Sequence, residues 1–232
     1  MANSGFRIFT RIDRPDPALV EGFRGLPVAN IGDSMNRASM LDARLRRISR
    51  VDMLGTAFTV KSRAGDNLML HKALDMAQPG DVILFDGHGD LTSAITGELM
   101  MQTAVERKLG GVVIDGAIRD LATLRDLPLP IYAAGVTPAG PYKDGPGEIN
   151  VPITVGGAVV HPGDIIVGDE DGVVVIRPAD AADILQKTRK KQAAEVEKMA
   201  AIKAGSADVS WIDRELAAKG CEIIDGIWHS RG

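Results

Sequence analysis

An apolar run ends in Asp115-Gly116-Ala117-Ile118-Arg119-Asp120, which sets an arginine directly beside an aspartate. A guanidinium can hold a carboxylate through two parallel hydrogen bonds. A carboxylate can hold a hard divalent cation whose shell water completes. Adjacent at one point of the chain, the two residues can divide those tasks. The same pair also reads as a surface ion pair, or as an Asp120 cap on a helix over 121–126. Upstream, Gly97-Glu98-Leu99-Met100 lies at the start of a helical pattern. Unpaired first-turn N–H groups make such a start an anion site, and Gly97 lets a ligand approach the main chain closely. A glycine before a helix also serves structure alone. Asp66 and Asn67 follow Gly65, and His88 and Asp90 lie in the segment DGHGD. His71 falls on a helical stretch and reads as a partner or core residue.

Several chemistries lack the patterns they need, and a phosphate loop is ruled out. There is no HExxH or CxxC and no paired-histidine spacing of a zinc site, and no GxxxxGK[ST] phosphate loop. DGHGD is not a dinucleotide fingerprint. Ser34, Ser62 and Ser93 lack the context of a nucleophile elbow. Lys61, Lys72 and Lys108 have no setting that calls for a Schiff base.

The elements that must position these residues follow from periodicity. Leu19, Val20, Phe23, Leu26 and Ile31 give 17–38 a helical stripe, and Asp33 is placed to cap a second short helix over 34–40. Short Val- and Ile-rich runs bounded by Gly or Pro predict strands at 55–61, 81–87, 110–116, 130–135, 157–161, 164–169 and 172–177. Helices are predicted over 66–78 and 93–109, the latter packing through Ile95, Leu99, Met100 and Ala104. Strand–helix alternation in the middle of the chain implies a parallel α/β core. The short turns among the last strands imply antiparallel hairpins. Arg119 and Asp120 then follow a strand, where functional residues of open α/β sheets gather. A long polar helix follows over 179–204, with sparse apolar positions Ile184, Leu185, Val196, Met199 and Ile202. It reads as a solvated surface helix or as an arm on a neighbouring subunit. The last segment carries both tryptophans, Trp211 and Trp228, and is expected to dock.

Composition and length agree with a soluble globular protein of one large domain, or a domain plus an extension. The 232 residues are 45% hydrophobic and only 4% aromatic, so aliphatic side chains carry the core. A net charge of -4 gives no general attraction to nucleic acid. The single cysteine, Cys221, forms no intrachain disulfide, reads as a small buried residue, and fits a reducing compartment. No apolar run reaches the ~20 residues of a membrane span. No signal-peptide stretch opens the chain, so a cytoplasmic location is expected, with neither membrane nor nucleic acid as partner.

Three stretches together resemble the RraA-like family: GELMM at 97–101, DGAIRD at 115–120 and GVTPAGPYKDGPGEINVPITVGGAVVHPGDIIVGDEDGVVVI at 135–176. The likeness runs from about residue 18 to 178, and WIDRELAAKGCEIIDGIW at 211–228 resembles the longer, aldolase-type members. That family includes 4-hydroxy-4-methyl-2-oxoglutarate / 4-carboxy-4-hydroxy-2-oxoadipate aldolases (class II pyruvate aldolases) and regulators of ribonuclease E activity. The resemblance implies an α/β swivelling β/β/α sandwich of phosphohistidine-domain-like type at 1–178, with a helical C-terminal extension at 179–232 that packs on a neighbouring subunit. It implies a homotrimer or dimer of trimers with the site between subunits. It assigns the pyruvyl carboxylate to Arg119, Mg2+ or Mn2+ to Asp120, and substrate oxygens to the N–H groups of Gly97, Glu98, Leu99 and Met100. The aldolases place an acidic residue, commonly Asp, twenty residues before the Arg-Asp pair. Here twenty residues separate Glu98 from Arg119, and Glu98 is expected to contact water on the metal, which serves as general base. Asn67 is a substrate contact, and Glu195 is an acidic group that could reach a neighbour's site. The implied reaction is retro-aldol cleavage of a small 4-hydroxy-2-oxo acid to pyruvate, with oxaloacetate decarboxylation through the same enolate. The alternatives are a lyase or dehydratase acting on another hydroxy or sugar acid, and a non-catalytic regulator of ribonuclease E.

Overall fold

The structure, a computed structural model, describes residues 3–228. In chain order its elements are β1 (Arg7–Ile8), α1 (Pro17–Glu21), α2 (Val28–Ser34), β2 (Arg46–Arg47), β3 (Met53–Ser62), α3 (Leu68–Met76), β4 (Asp81–Thr96), α4 (Glu98–Glu106) and β5 (Gly111–Ile118). They continue with α5 (Leu121–Leu124), β6 (Ile131–Val136), β7 (Gly147–Ile149), β8 (Ile153–Val155), β9 (Ala158–Val160), β10 (Ile165–Asp169), β11 (Gly172–Ile176), α6 (Ala181–Lys203) and α7 (Ser210–Ala218).

The main sheet runs β1-β7-β3-β4-β5-β6-β2, with β10 also paired to β3 and β11 to β10. Its centre, β3-β4-β5-β6, is parallel. These strands are buried on both faces, which the period-2 alternation of side chains sorts into two cores. Ile83, Phe85, Val112 and Ile114 point to the face covered by α3 and α4, where they meet Leu70, Ala73, Met101 and Ala104. Val82, Leu84 and Val113 point to the other face and pack with Ile153, Val155 and Val160 of the β8–β9 hairpin. Hairpin, sheet and helices form the β/β/α layering that the family resemblance implies. A third cluster joins Phe23 and Ile31 to Ile165, Val174 and Ile176, and to Ala181 and Ile184 of α6.

Some expectations are corrected. The helix at 34–40 does not form. Asp33 lies in the last turn of α2, and Asn36, Arg37 and Ser39 take positive φ, which ends the helical path. The strand predicted over 81–87 continues through bulges to Thr96, so Ile95 belongs to the sheet and the helix starts at Glu98. On that helix Met101 and Ala104 are buried, whereas Leu99 is 85% exposed.

The chain divides into two compact units, Met1–Lys191 and Gln192–Gly232. The sheet and all three cores lie in the first. The second holds the end of α6 and all of α7, and it exposes Val196, Met199, Trp211, Ile212 and Trp228. Cys221 is likewise exposed, not buried. Among the described residues no helix is long and apolar enough to cross a membrane.

Candidate functional site

Because β3, β4, β5 and β6 are parallel, their carboxyl ends share one edge of the sheet. Asn67 follows β3, Gly97 and Glu98 follow β4, Arg119 and Asp120 follow β5, and Pro141 and Lys143 come after β6. With His71, Leu99 and Met100 they line a cavity of about 250 Å³. Seven of the eight sequence-selected site residues are thus brought together. The eighth, Glu195, sits exposed on α6 in the second unit.

The centre of the site rests on pairing between β4 and β5 that holds to their last residues. Thr96 stands opposite Ile118, and the Arg119 N–H donates to the Thr96 carbonyl at 3.0 Å. This sets Gly97 against the Arg119-Asp120 pair. Asp120 takes φ 58, a left-handed conformation that Asp tolerates better than most residues. It occupies the N-cap position of α5 but makes no capping bond there with its side chain. Its Oδ2 instead accepts the Glu98 N–H at 2.9 Å and lies 3.8 Å from Arg119 Nε. The carboxylate therefore sits at the N-terminus of α4, where the helix dipole favours negative charge.

Gly97 is needed for space. Its φ of -156 is extended backbone open to any residue, but a Cβ there would lie 2.2 Å from Asp120 Oδ2 and 3.0 Å from Arg119 Cγ. The close approach foreseen for a ligand is made by the Asp120 carboxylate itself. Gly97→Ala is expected to displace both side chains and lower kcat/KM about 100-fold, the usual cost of a misplacement near 1 Å. Steady-state kinetics beside a circular-dichroism melt checks this, and wild-type kinetics from the variant would contradict it.

The walls are built by buried polar anchors. Asn67 is 2% exposed, and its Nδ2 donates to the Ile95 carbonyl at 2.8 Å. Asp66, fully buried, accepts the N–H groups of Leu68, Asp144 and Gly145 at 3.0, 2.7 and 3.0 Å. Burial pushes the Asp66 pKa up, but these three donors and Arg63 outweigh it and hold the carboxyl below its usual range. Asp66 thereby ties the start of α3 to the turn that carries Lys143. His71 is exposed at the pocket wall, and partial desolvation together with the Lys143 ammonium lowers its pKa. The sequence alone suggests a core or partner role for His71 and does not single out Lys143 or Thr96. One signal pointed to Lys143: it lies in the turn after the fourth parallel strand.

The donor set suits a hard divalent cation. Asp120 and Glu98, both lining the cavity, supply carboxylate oxygens. Among the described residues no cluster of three or more His, Cys, Asp or Glu side chains forms an all-protein cage. A small cation that keeps several waters and binds through one or two carboxylates plus substrate fits that arrangement. The cations Arg119 and Lys143 and the first-turn N–H groups of α4 add positive potential for an anionic ligand.

This chain is similar to several known proteins. The family model described as RraA-like, Aldolase/RraA, matches residues 28–175. The chain is 43% identical over 172 residues to a Halalkalibacterium halodurans protein provisionally named as a 4-hydroxy-4-methyl-2-oxoglutarate aldolase, covering 74% of this chain and 82% of that one. It is 38% identical over 111 residues to a Thermus thermophilus protein named 4-hydroxy-4-methyl-2-oxoglutarate aldolase, covering 48% and 68%. Among solved structures it is similar to Streptomyces coelicolor RraAS2, described as an unusual member of the RNase ES inhibitor RraA protein family. That match has a TM-score of 0.71 at 26% identity and covers 80% of this chain and 99% of that one.

Proposed function

Since the chain belongs to the RraA-like family, Aldolase/RraA, we propose that it is a divalent-metal-dependent lyase that cleaves 4-hydroxy-2-oxo acids of the 4-hydroxy-4-methyl-2-oxoglutarate type to pyruvate. The observation that carries the reading is the convergence of Arg119, Asp120 and the α4 N-terminus on one cavity. Arg119 holds the carboxylate next to the 2-oxo group, in the two-bond geometry that a guanidinium presents. The first-turn N–H groups of Leu99 and Met100 face the remaining substrate oxygens. Asp120 would hold Mg2+ or Mn2+, with Glu98 in contact through water, and the cation when bound supplies a Lewis acid for the charge that develops on the 2-oxo oxygen.

Cleavage breaks the C3–C4 bond. The 4-hydroxyl loses its proton, C4 becomes a carbonyl, and the electron pair passes to C3 as the enolate of pyruvate. Glu98 lies on the cavity wall at the first position of α4 and takes that proton, directly or through one water. Protonation at C3 then yields pyruvate. Oxaloacetate, losing CO2, reaches the same enolate and is a second substrate of the same site.

The reading extends to a homotrimer or dimer of trimers in which Glu195 of the partner subunit approaches the site. The exposed Trp211, Ile212 and Leu216 of α7, which need a covering surface, support it. A non-catalytic role in ribonuclease regulation is the second reading, favoured by the similarity to RraAS2.

Pyruvate release from 4-hydroxy-4-methyl-2-oxoglutarate and from oxaloacetate, with Mg2+ and then with excess EDTA, decides between them. Turnover above the metal-only background that EDTA abolishes is expected. No turnover of either compound by folded, metal-supplied protein would overturn the lyase reading.

A further inference from the structure

We infer that Thr96 and Asn67 form a subsite that reads the hydroxyl group of the substrate, making Thr96 a specificity-determining residue. The inference rests on the lyase reading and deepens it. Thr96 is the last residue of β4, 3% exposed, and lines the cavity beside Gly97. Its Oγ1 is closed off from solvent and has no hydrogen-bond partner. The Asn67 amide has its direction set by the bond from Nδ2 to the Ile95 carbonyl and by a 3.4 Å approach of Nδ2 to Met100 Sδ. Its Oδ1 is then the end left over, also buried and also without a donor.

Buried polar side-chain atoms without partners are uncommon in folded proteins, and each calls for a reason. Four occur among the described residues, and two of the four line this one cavity. Their chemistry is complementary. Asn67 Oδ1 can only accept, and the Thr96 hydroxyl can donate. A ligand hydroxyl answers both, giving its hydrogen to Asn67 and accepting from Thr96. The 4-hydroxyl of a 4-hydroxy-2-oxo acid is such a group. Oxaloacetate in its keto form offers acceptors alone and leaves Asn67 unpaired. A site that hydrogen-bonds a substrate hydroxyl discriminates against an analogue without it, because its own buried groups are then stranded. The hydroxyl hydrogen must turn from Asn67 toward Glu98 before cleavage, so the pair acts in substrate binding and its loss is read in KM.

The test is the ratio of kcat/KM for 4-hydroxy-4-methyl-2-oxoglutarate to that for oxaloacetate, measured on full-length metal-supplied protein. Thr96→Val keeps the shape and β-branching of the strand residue and removes the hydroxyl. We expect it to lower the ratio about tenfold, through KM for the hydroxy acid, with a melting temperature no lower than that of the wild type. Thr96→Ser, which restores the hydroxyl, should return the ratio to within about twofold of the wild type. A ratio that does not move in Thr96→Val, or a parallel loss on both substrates, overturns the assignment while leaving the lyase reading intact. Wild-type protein that turns over neither compound removes the lyase reading and the Thr96 role with it.

Discussion

Asp120→Asn is expected to lower kcat/KM for pyruvate-forming cleavage by about 1000-fold, the scale seen when a preorganised charge is removed from a reacting centre. The carboxylate has two local partners, the Glu98 N–H at 2.9 Å and Arg119 Nε at 3.8 Å. Asparagine keeps the shape, can still accept the Glu98 N–H, and tolerates the left-handed backbone at φ 58. What it loses is the negative charge that a divalent cation needs. Asp120→Ala should be as inactive and also less stable. It removes a bond at the start of α4, worth about 1 kcal/mol, and places alanine in a conformation costing it about 1–2 kcal/mol. Comparing the two variants by kinetics and by urea melts separates charge from structure. Full activity in Asp120→Asn would remove the carboxylate from the mechanism.

Arg119→Ala is expected to weaken substrate capture about 100-fold, chiefly as a rise in KM. Arg119 is half-exposed at the cavity, held by its backbone N–H to Thr96 and by Asp120 nearby. Its guanidinium, paired only loosely with Asp120, can turn its N–H groups to a substrate carboxylate. Arg119→Lys should recover little, because an ammonium is a point charge without the planar fork. Saturation curves with oxaloacetate and with the 4-hydroxy acid, and inhibition by pyruvate, measure the effect. An unchanged KM for both substrates together with an unchanged pyruvate inhibition constant would refute the carboxylate role.

The parallel centre of the sheet and the position of Arg119-Asp120 at a strand end are legible in the chain, because both depend on local order. Val- and Ile-rich runs bounded by glycine encode β5 within about two residues, and whatever follows β5 must emerge at its carboxyl end. The bulged continuation of β4 to Thr96 was not legible, since 88–96 lacks alternating apolar residues and is held by pairing to β5. The end of α2 was missed for a related reason: three non-glycine residues with positive φ carry no strong local signal.

The sequence by itself determined the chemistry available: an Arg-Asp pair at a strand end, a glycine ahead of a helix, and strands of a length and composition that make a parallel sheet. Only the tertiary structure decided which residues share the cavity. Asn67 with His71, then Glu98, Asp120 and Lys143, come from four segments far apart in the chain, and strand order, set by packing on both faces of the sheet, brings them to one edge. The reason Gly97 must be glycine is likewise tertiary. It is the Asp120 carboxylate, twenty-three positions away, that occupies the space a Cβ would fill.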